Sequence, residues 1–124
     1  MIIGTGIDIV EIARFRKILA RTGEHFLRRV FTPDEQRFCQ ARQDPAQHFA
    51  ARFAAKEAVF KALGTGWAKG VTWLDVEVSR PEQGAPAILL HGIAQEIAAL
   101  KGVKRIHLSL THTNNCAAAT AILE

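Results

Sequence analysis

The stretch that most constrains this chain is "AQHFAARFAAKEAVFKAL", residues 46–63, followed at once by Gly64. It predicts one long helix from about Ala46 to Leu63, ended by a glycine suited to the left-handed position after a helix. On a wheel of about 100° per residue, Phe49, Phe53 and Phe60 fall within about 40° of one another, and the back of the helix is alanine. A helix without a polar face is normally buried. The four charges set into it, Arg52, Lys56, Glu57 and Lys61, therefore need an explanation, because stripping a charge of water is costly. Glu57 lies on one flank of the Phe stripe and Lys56 on the other, beside Phe49. An i, i+4 pair between Glu57 and Lys61, worth about 0.2–0.5 kcal/mol, explains their spacing but not their apolar setting. For Lys56 the residues suggest only a structural ion-pair partner.

Around this helix the pattern changes several times. Residues 2–10 mix Ile and Val with glycine and predict a buried strand. Glu11–Leu19 switches to helical spacing, with Ile12, Phe15, Ile18 and Leu19 on one side and Arg14, Arg16, Lys17 and Arg21 largely on the other. "TGEHFLRRVF" continues as a short second helix. "FTPDEQRFCQAR" carries a helix start, with Thr32 as N-cap, Pro33 at the first position and Glu35 completing a capping box. Beyond Gly64, Gly66 and Gly70, "VTWLDVEVS" alternates, setting Trp73, Asp75, Glu77 and Ser79 opposite Leu74, Val76 and Val78, and predicts a strand. "RPEQGAP" is turn chemistry leading into a strand "AILLHG", and "IAQEIAALKG" is a helix closed by Gly102. "KRIHLSLTH" and "CAAATAILE" form a final strand pair joined at Asn114 and Asn115. With no repeat or long linker, the 124 residues read as one domain, 1–124, of α+β class, with helices packed on a small antiparallel sheet.

Asp8 sharpens the problem posed by Glu57. It interrupts "GIDIV", where a strand buried on both faces would take another aliphatic residue; a turn or capping role near Glu11 is the plainer alternative. Two carboxylates at apolar positions suggest a shared divalent cation. Neither has His or Cys beside it at ligand spacing, so the ion should be a hard one that prefers oxygen. Mg²⁺ fits best, since one or two carboxylates usually hold it while water and substrate phosphates fill the remaining shell. "GTG" after Leu63 is a poor phosphate cradle, because phosphates favour helix N-termini and this is a C-terminus. Any phosphate here depends on the metal and on cations such as Lys61. "SLTHT", Ser109–Thr113, is a second polar island that suits either turn chemistry or phosphate contacts. It is no Ser–His hydrolase centre, for Ser109 lacks an elbow and no acid orients His112.

Composition narrows the classes further. Hydrophobic residues make up 48% and charged ones 23%, which argues against disorder. Cys39 and Cys116 are too few and too far apart for a disulfide framework or metal knuckle, and read as reduced thiols in the cytoplasm. The apolar N-terminus has no basic leader and contains Asp8, so it suits neither a signal peptide nor a membrane span. The formal charge of +4 is uneven, since Arg14, Arg16, Lys17, Arg21, Arg28 and Arg29 are opposed locally only by Glu24. Such a segment suits an acidic protein, nucleic acid, an anionic membrane or simply a solvated helix face.

Three segments together, "GIDIVEIAR", "FAARFAAKEAVFKALGTG" and "SLTHT", resemble the holo-[acyl-carrier-protein] synthases, the short bacterial phosphopantetheinyl transferases. The similarity runs nearly end to end and includes "FTPDE". It implies an α+β subunit acting as a homotrimer, with a coenzyme A (CoA) site in each cleft between neighbours. It implies transfer of 4′-phosphopantetheine from CoA to a serine of acyl carrier protein, releasing adenosine 3′,5′-bisphosphate, in support of fatty acid biosynthesis. By the same resemblance Asp8 and Glu57 would be Mg²⁺ ligands, and Lys61 would contact the phosphates and assist the leaving group. Arg52, Gly64, Pro86, Thr111 and His112 would lie along the CoA site, partly from an adjacent subunit. Arg14 and Arg21 would face the carrier protein, with Glu24 standing where a third arginine sometimes occurs in the family.

This chemistry agrees with the residues. Phosphoryl-type transfer depends on positioning and charge neutralisation, and the partner supplies the nucleophile, so none is needed here. The proton of the incoming serine would go to Glu57 or to a water on the metal. Two rival readings are a basic nucleic-acid-binding module and another Mg²⁺-dependent enzyme acting on a nucleotide pyrophosphate. The first leaves Asp8 and Glu57 unexplained and lacks a stacking platform, with two Trp and no Tyr. The second differs in its acceptor, water rather than a carrier protein. Neither nucleic acid nor membrane is expected as a partner.

Overall fold

A computed structural model describes residues 1–65, 70–80 and 84–124. Gly66 and the middle of the "RPEQGAP" turn lie outside the described residues. The elements run β1 (Gly4–Glu11), α1 (Ile12–Val30), α2 (Pro33–Gln40), α3 (Pro45–Leu63), a 3₁₀ turn (Trp73–Asp75), β2 (Val76–Ser79), β3 (Ala87–Leu90), α4 (Gly92–Leu100), β4 (Ile106–His112) and β5 (Cys116–Leu123). β5 lies between β1 and β4 in an antiparallel three-stranded sheet, and β2 and β3 form a separate antiparallel pair. The predicted α+β class and antiparallel strands are observed. No helix among the described residues is long and apolar enough to cross a membrane.

α3 packs across the inner face of the larger sheet, and small residues make that contact close. A Cβ on Gly6 would lie 1.9 Å from the Ala58 carbonyl oxygen, and one on Gly4 would lie 2.1 Å from that of Ala62. Ala117, Ala119 and Ala121 of β5 present the same slim surface. Beyond this contact, Ile12, Phe15, Phe31 and Phe49 form a core cluster of their own. Gly64 ends α3 in the left-handed conformation (φ 75°), the position at which glycine carries no Cβ penalty.

Two expectations are corrected. β1 is buried on one face only: Ile7 and Ile9 are 66% and 68% exposed, while Gly6, Asp8 and Val10 alternate with them on the face toward α3. Trp73–Asp75 form a 3₁₀ turn rather than strand, because the Asp75 carboxylate accepts from the Thr72 N–H and hydroxyl and from the Ala94 N–H at the start of α4. The helical stretch expected over Glu11–Leu19 and the short second helix after it are both present, joined in α1 across a non-helical break at Gly23 (φ 49°, ψ −127°). The capping box at Thr32, Pro33 and Glu35 is present as expected.

Candidate active site

The close approach of β1 to α3 brings together side chains that are distant in sequence. Asp8 follows Gly6 on the face toward α3, and Lys61 lies one turn after Glu57 on that helix. The Lys61 ammonium donates to Asp8 Oδ1 at 3.0 Å and to the Ile7 carbonyl at 2.9 Å. Glu57 is half-buried beside them. Burial, and then the negative charge of Asp8, pushes its carboxyl above the ordinary range, with Lys61 pulling the other way. All three line a cavity of about 420 Å³, whose other walls include Arg14 and Phe15 of α1, Phe26 and Phe53.

Two neighbouring carboxylates at a half-buried site are suited, in electrostatic terms, to a cation between them. Among the described residues there is no cluster of three or more His, Cys, Asp and Glu, so a protein-caged transition metal does not suit. The donors fit Mg²⁺, which takes few protein oxygens and leaves the rest of its shell to water and phosphate.

A second cluster lies elsewhere on α3. At about 100° per residue, Arg52 and Glu57 are about 140° apart around the helix, so they serve different faces. Arg52 is 3% exposed, and its guanidinium lies 3.9 Å from the centre of the Phe38 ring, with Arg42 at 3.8 Å from the same centre. Arg52 Nε is buried with no hydrogen-bond partner among the described residues. His48 touches both Phe38 (6.1 Å between ring centres) and His112 (6.0 Å). Burial, Arg52, His112 and Arg42 in turn hold the His48 pKa below its usual value, against Asp44. This is an electropositive corner with an orphan donor, suited to an anion.

The site residues expected from the sequence are thus divided. Asp8, Glu57 and Lys61 share one cavity with Arg14, whereas Arg52 and His112 share the cationic corner. Thr111 precedes His112 on β4 and so points to the outer face of the sheet. Pro86 stands half-buried just before β3, and Arg21 is exposed on α1. "SLTH" belongs to β4, and only Thr113 makes a turn, its hydroxyl accepting from the Asn115 and Cys116 N–H groups at 3.1 Å. Sequence reasoning missed Phe38, Arg42 and His48, whose meeting crosses the end of α2 at Gln40 and so has no helical spacing to announce it. It also missed that Glu35, beyond its capping role, is buried against Lys56 with 2.8 Å between Oε1 and Nζ.

The family model of the 4′-phosphopantetheinyl transferase superfamily matches residues 4–121. The chain belongs to that superfamily, among the holo-[acyl-carrier-protein] synthases. It is an enzyme, a phosphopantetheinyl transferase. A holo-[acyl-carrier-protein] synthase of Koribacter versatilis is 51% identical over 124 residues, covering 100% of this transferase and 99% of the relative. Another, from Anaeromyxobacter dehalogenans, is 54% identical over 127 residues, covering 100% and 97%. Among solved structures, the Neisseria meningitidis holo-[acyl-carrier-protein] synthase superposes with a TM-score of 0.89 at 31% identity, covering 100% of the transferase and 99% of that chain. The Helicobacter pylori synthase in complex with coenzyme A gives 0.84 at 32% identity, covering 97% and 99%.

Proposed function

We propose that this transferase moves 4′-phosphopantetheine from CoA to a serine of apo acyl carrier protein, releasing adenosine 3′,5′-bisphosphate, and so supports fatty acid biosynthesis in the cytoplasm. The observation that carries this reading is the convergence of Asp8, Glu57 and Lys61 in one cavity with Arg14. The CoA bound to the Helicobacter pylori relative supports the donor. In the reaction the serine oxygen forms a bond to the pantetheine-linked phosphorus while the bond from that phosphorus to the bridging pyrophosphate oxygen breaks. The bisphosphate departs with the electron pair of the broken bond, and the serine proton passes to Glu57 or to a water in the cavity.

Asp8 and Glu57 would hold Mg²⁺, which when bound would neutralise charge on the pyrophosphate. Lys61, fixed by Asp8 and the Ile7 carbonyl, offers its ammonium to the phosphates and the departing bisphosphate. Arg52 and His112 would take the remaining anionic charge of CoA, with Gly64, Pro86 and Thr111 along the same ligand. The Cys39 thiol is a poor rival nucleophile, because burial pushes its pKa up to about 12. Both cysteines are free, in keeping with a reducing compartment.

Arg14 and Arg21 would meet the acidic carrier protein, Arg14 at the cavity mouth beside Phe15 and Phe53. Arg14→Glu is expected to raise KM for the carrier by about tenfold or more while changing KM for CoA little. Equal losses for both substrates in steady-state assays would contradict that division.

A homotrimer with its sites between subunits fits the division of the site residues within one chain. It also fits the outer sheet face, where exposed Ile7, Ile9 and Ile122 surround Thr120 and lead toward Thr111. Light scattering should give three times the chain mass. Ile7→Glu should give a monomer with little activity; a fully active monomer would refute the shared site. The reaction itself is tested by the mass of the carrier protein after incubation with CoA and Mg²⁺.

A further inference from the structure

Lys56 has no part in the reaction proposed above, yet it is wholly buried next to Glu57 in the chain. Its ammonium has three hydrogens and meets three acceptors: Glu35 Oε1 at 2.8 Å, the Trp73 carbonyl at 3.0 Å and the Val76 carbonyl at 2.6 Å. Glu35 is equally committed, accepting the Thr32 N–H on Oε1 and the Val78 N–H on Oε2, each at 2.8 Å. Such a pair contributes little net stability compared with well-packed apolar side chains, so its use is better sought in what it holds in place. It fastens the 3₁₀ turn and the start of β2 to α3.

That turn carries Trp73. The indole lies on Phe53, with ring centres 4.7 Å apart and planes 33° apart, and it meets Phe60 edge-on at 5.9 Å. Phe53 is itself a wall of the cavity that contains Asp8, Glu57 and Arg14, and it also contacts Phe15 and Phe26 there. A continuous set of contacts thus runs from the Lys56 ammonium through the Trp73 backbone and indole to the apolar wall beside the carboxylates.

We propose that Lys56 is a positioning residue for the carrier-protein side of the site. By holding the Trp73 and Val76 carbonyls it fixes the indole behind Phe53, and so fixes the apolar surface on which the incoming protein rests beside Arg14. This inference relies on the transfer reading above for its partner, but not for its geometry.

The test uses Glu35→Gln with Lys56→Met, which removes both charges together and strands neither ion. Its KM for apo carrier protein should rise about tenfold, a size typical of indirect positioning effects, while KM for CoA stays within about twofold. In a Trp67→Phe background, where Trp73 is the one remaining indole, acrylamide should quench the variant's fluorescence more strongly than the parent's. Equal changes in both KM values, or unchanged quenching, would overturn the proposal, since a purely structural pair has no reason to separate the two substrates. Trp73→Leu keeps the ion pair and should reproduce the split in KM; an unchanged carrier KM there would also overturn it, even if the double variant does not fold. A parent enzyme that transfers nothing would refute the transfer reading, and the quenching comparison would still decide whether Lys56 holds Trp73.

Discussion

Glu57→Gln is expected to abolish transfer while leaving the protein at least as stable as before. The substitution is isosteric, so Phe53, Phe60 and the alanine face of α3 keep their packing. It removes a carboxylate whose ionised form is opposed first by burial and then by the charge of Asp8, and that opposition disappears with the charge. The melting temperature should therefore hold or rise. Losing a group that orients a metal ligand already costs about 10–100-fold, so loss of the ligand itself should exceed about 100-fold in kcat/KM. Activity and melting temperature measured on the same sample separate the two effects. Near-normal activity would refute the assignment of Glu57 to the metal, whereas inactivity with a large fall in melting temperature would recast it as a structural residue.

The second large effect is expected at Gly6. An alanine Cβ there would come within 1.9 Å of the Ala58 carbonyl oxygen, an atom of helix backbone that no rotamer change can move aside. Either β1 separates from α3 or the strand loses its register with β5. Overpacking typically costs about 1–3 kcal/mol, and a backbone collision places Gly6→Ala at or above the upper end. Activity should fall as well, because the same contact brings Asp8 and the Ile7 carbonyl to Lys61. Urea unfolding followed by circular dichroism measures the loss; a change below about 0.5 kcal/mol, the scale of an ordinary surface substitution, would show that the strand and helix are not held as described.

These two positions also show how far the sequence could be read. Glu57 was legible because a carboxylate on an apolar helix conflicts with its surroundings, and Asp8 because it breaks an aliphatic run. Their meeting depends on the glycines of β1, whose contact with Ala58 and Ala62 joins a strand and a helix that nothing in the sequence pairs with each other. Ile7 and Ile9 read as buried because they are apolar, and a single chain's pattern does not tell whether its own atoms or a neighbour's cover them. Trp73–Asp75 fits a strand by alternation, but Asp75 has stronger local partners in Thr72 and the start of α4, and these bend the backbone into a turn. Lys56 stood out on the wheel, while its partner Glu35 was hidden by a capping role it also fulfils. Thr111 and His112 are neighbours in sequence, so the pleat that separates them shows only once β4 is known to extend through both.

If the two carboxylates and Lys61 serve transfer to a protein acceptor, the mass of that acceptor must change. The most direct measurement is the intact mass of a cognate apo carrier protein incubated with the purified transferase, CoA and Mg²⁺. A gain of one phosphopantetheine per carrier and the matching appearance of adenosine 3′,5′-bisphosphate are expected, and neither is expected with Glu57→Gln. An unchanged carrier mass with folded enzyme, or release of bisphosphate without modification of the carrier, would contradict such transfer.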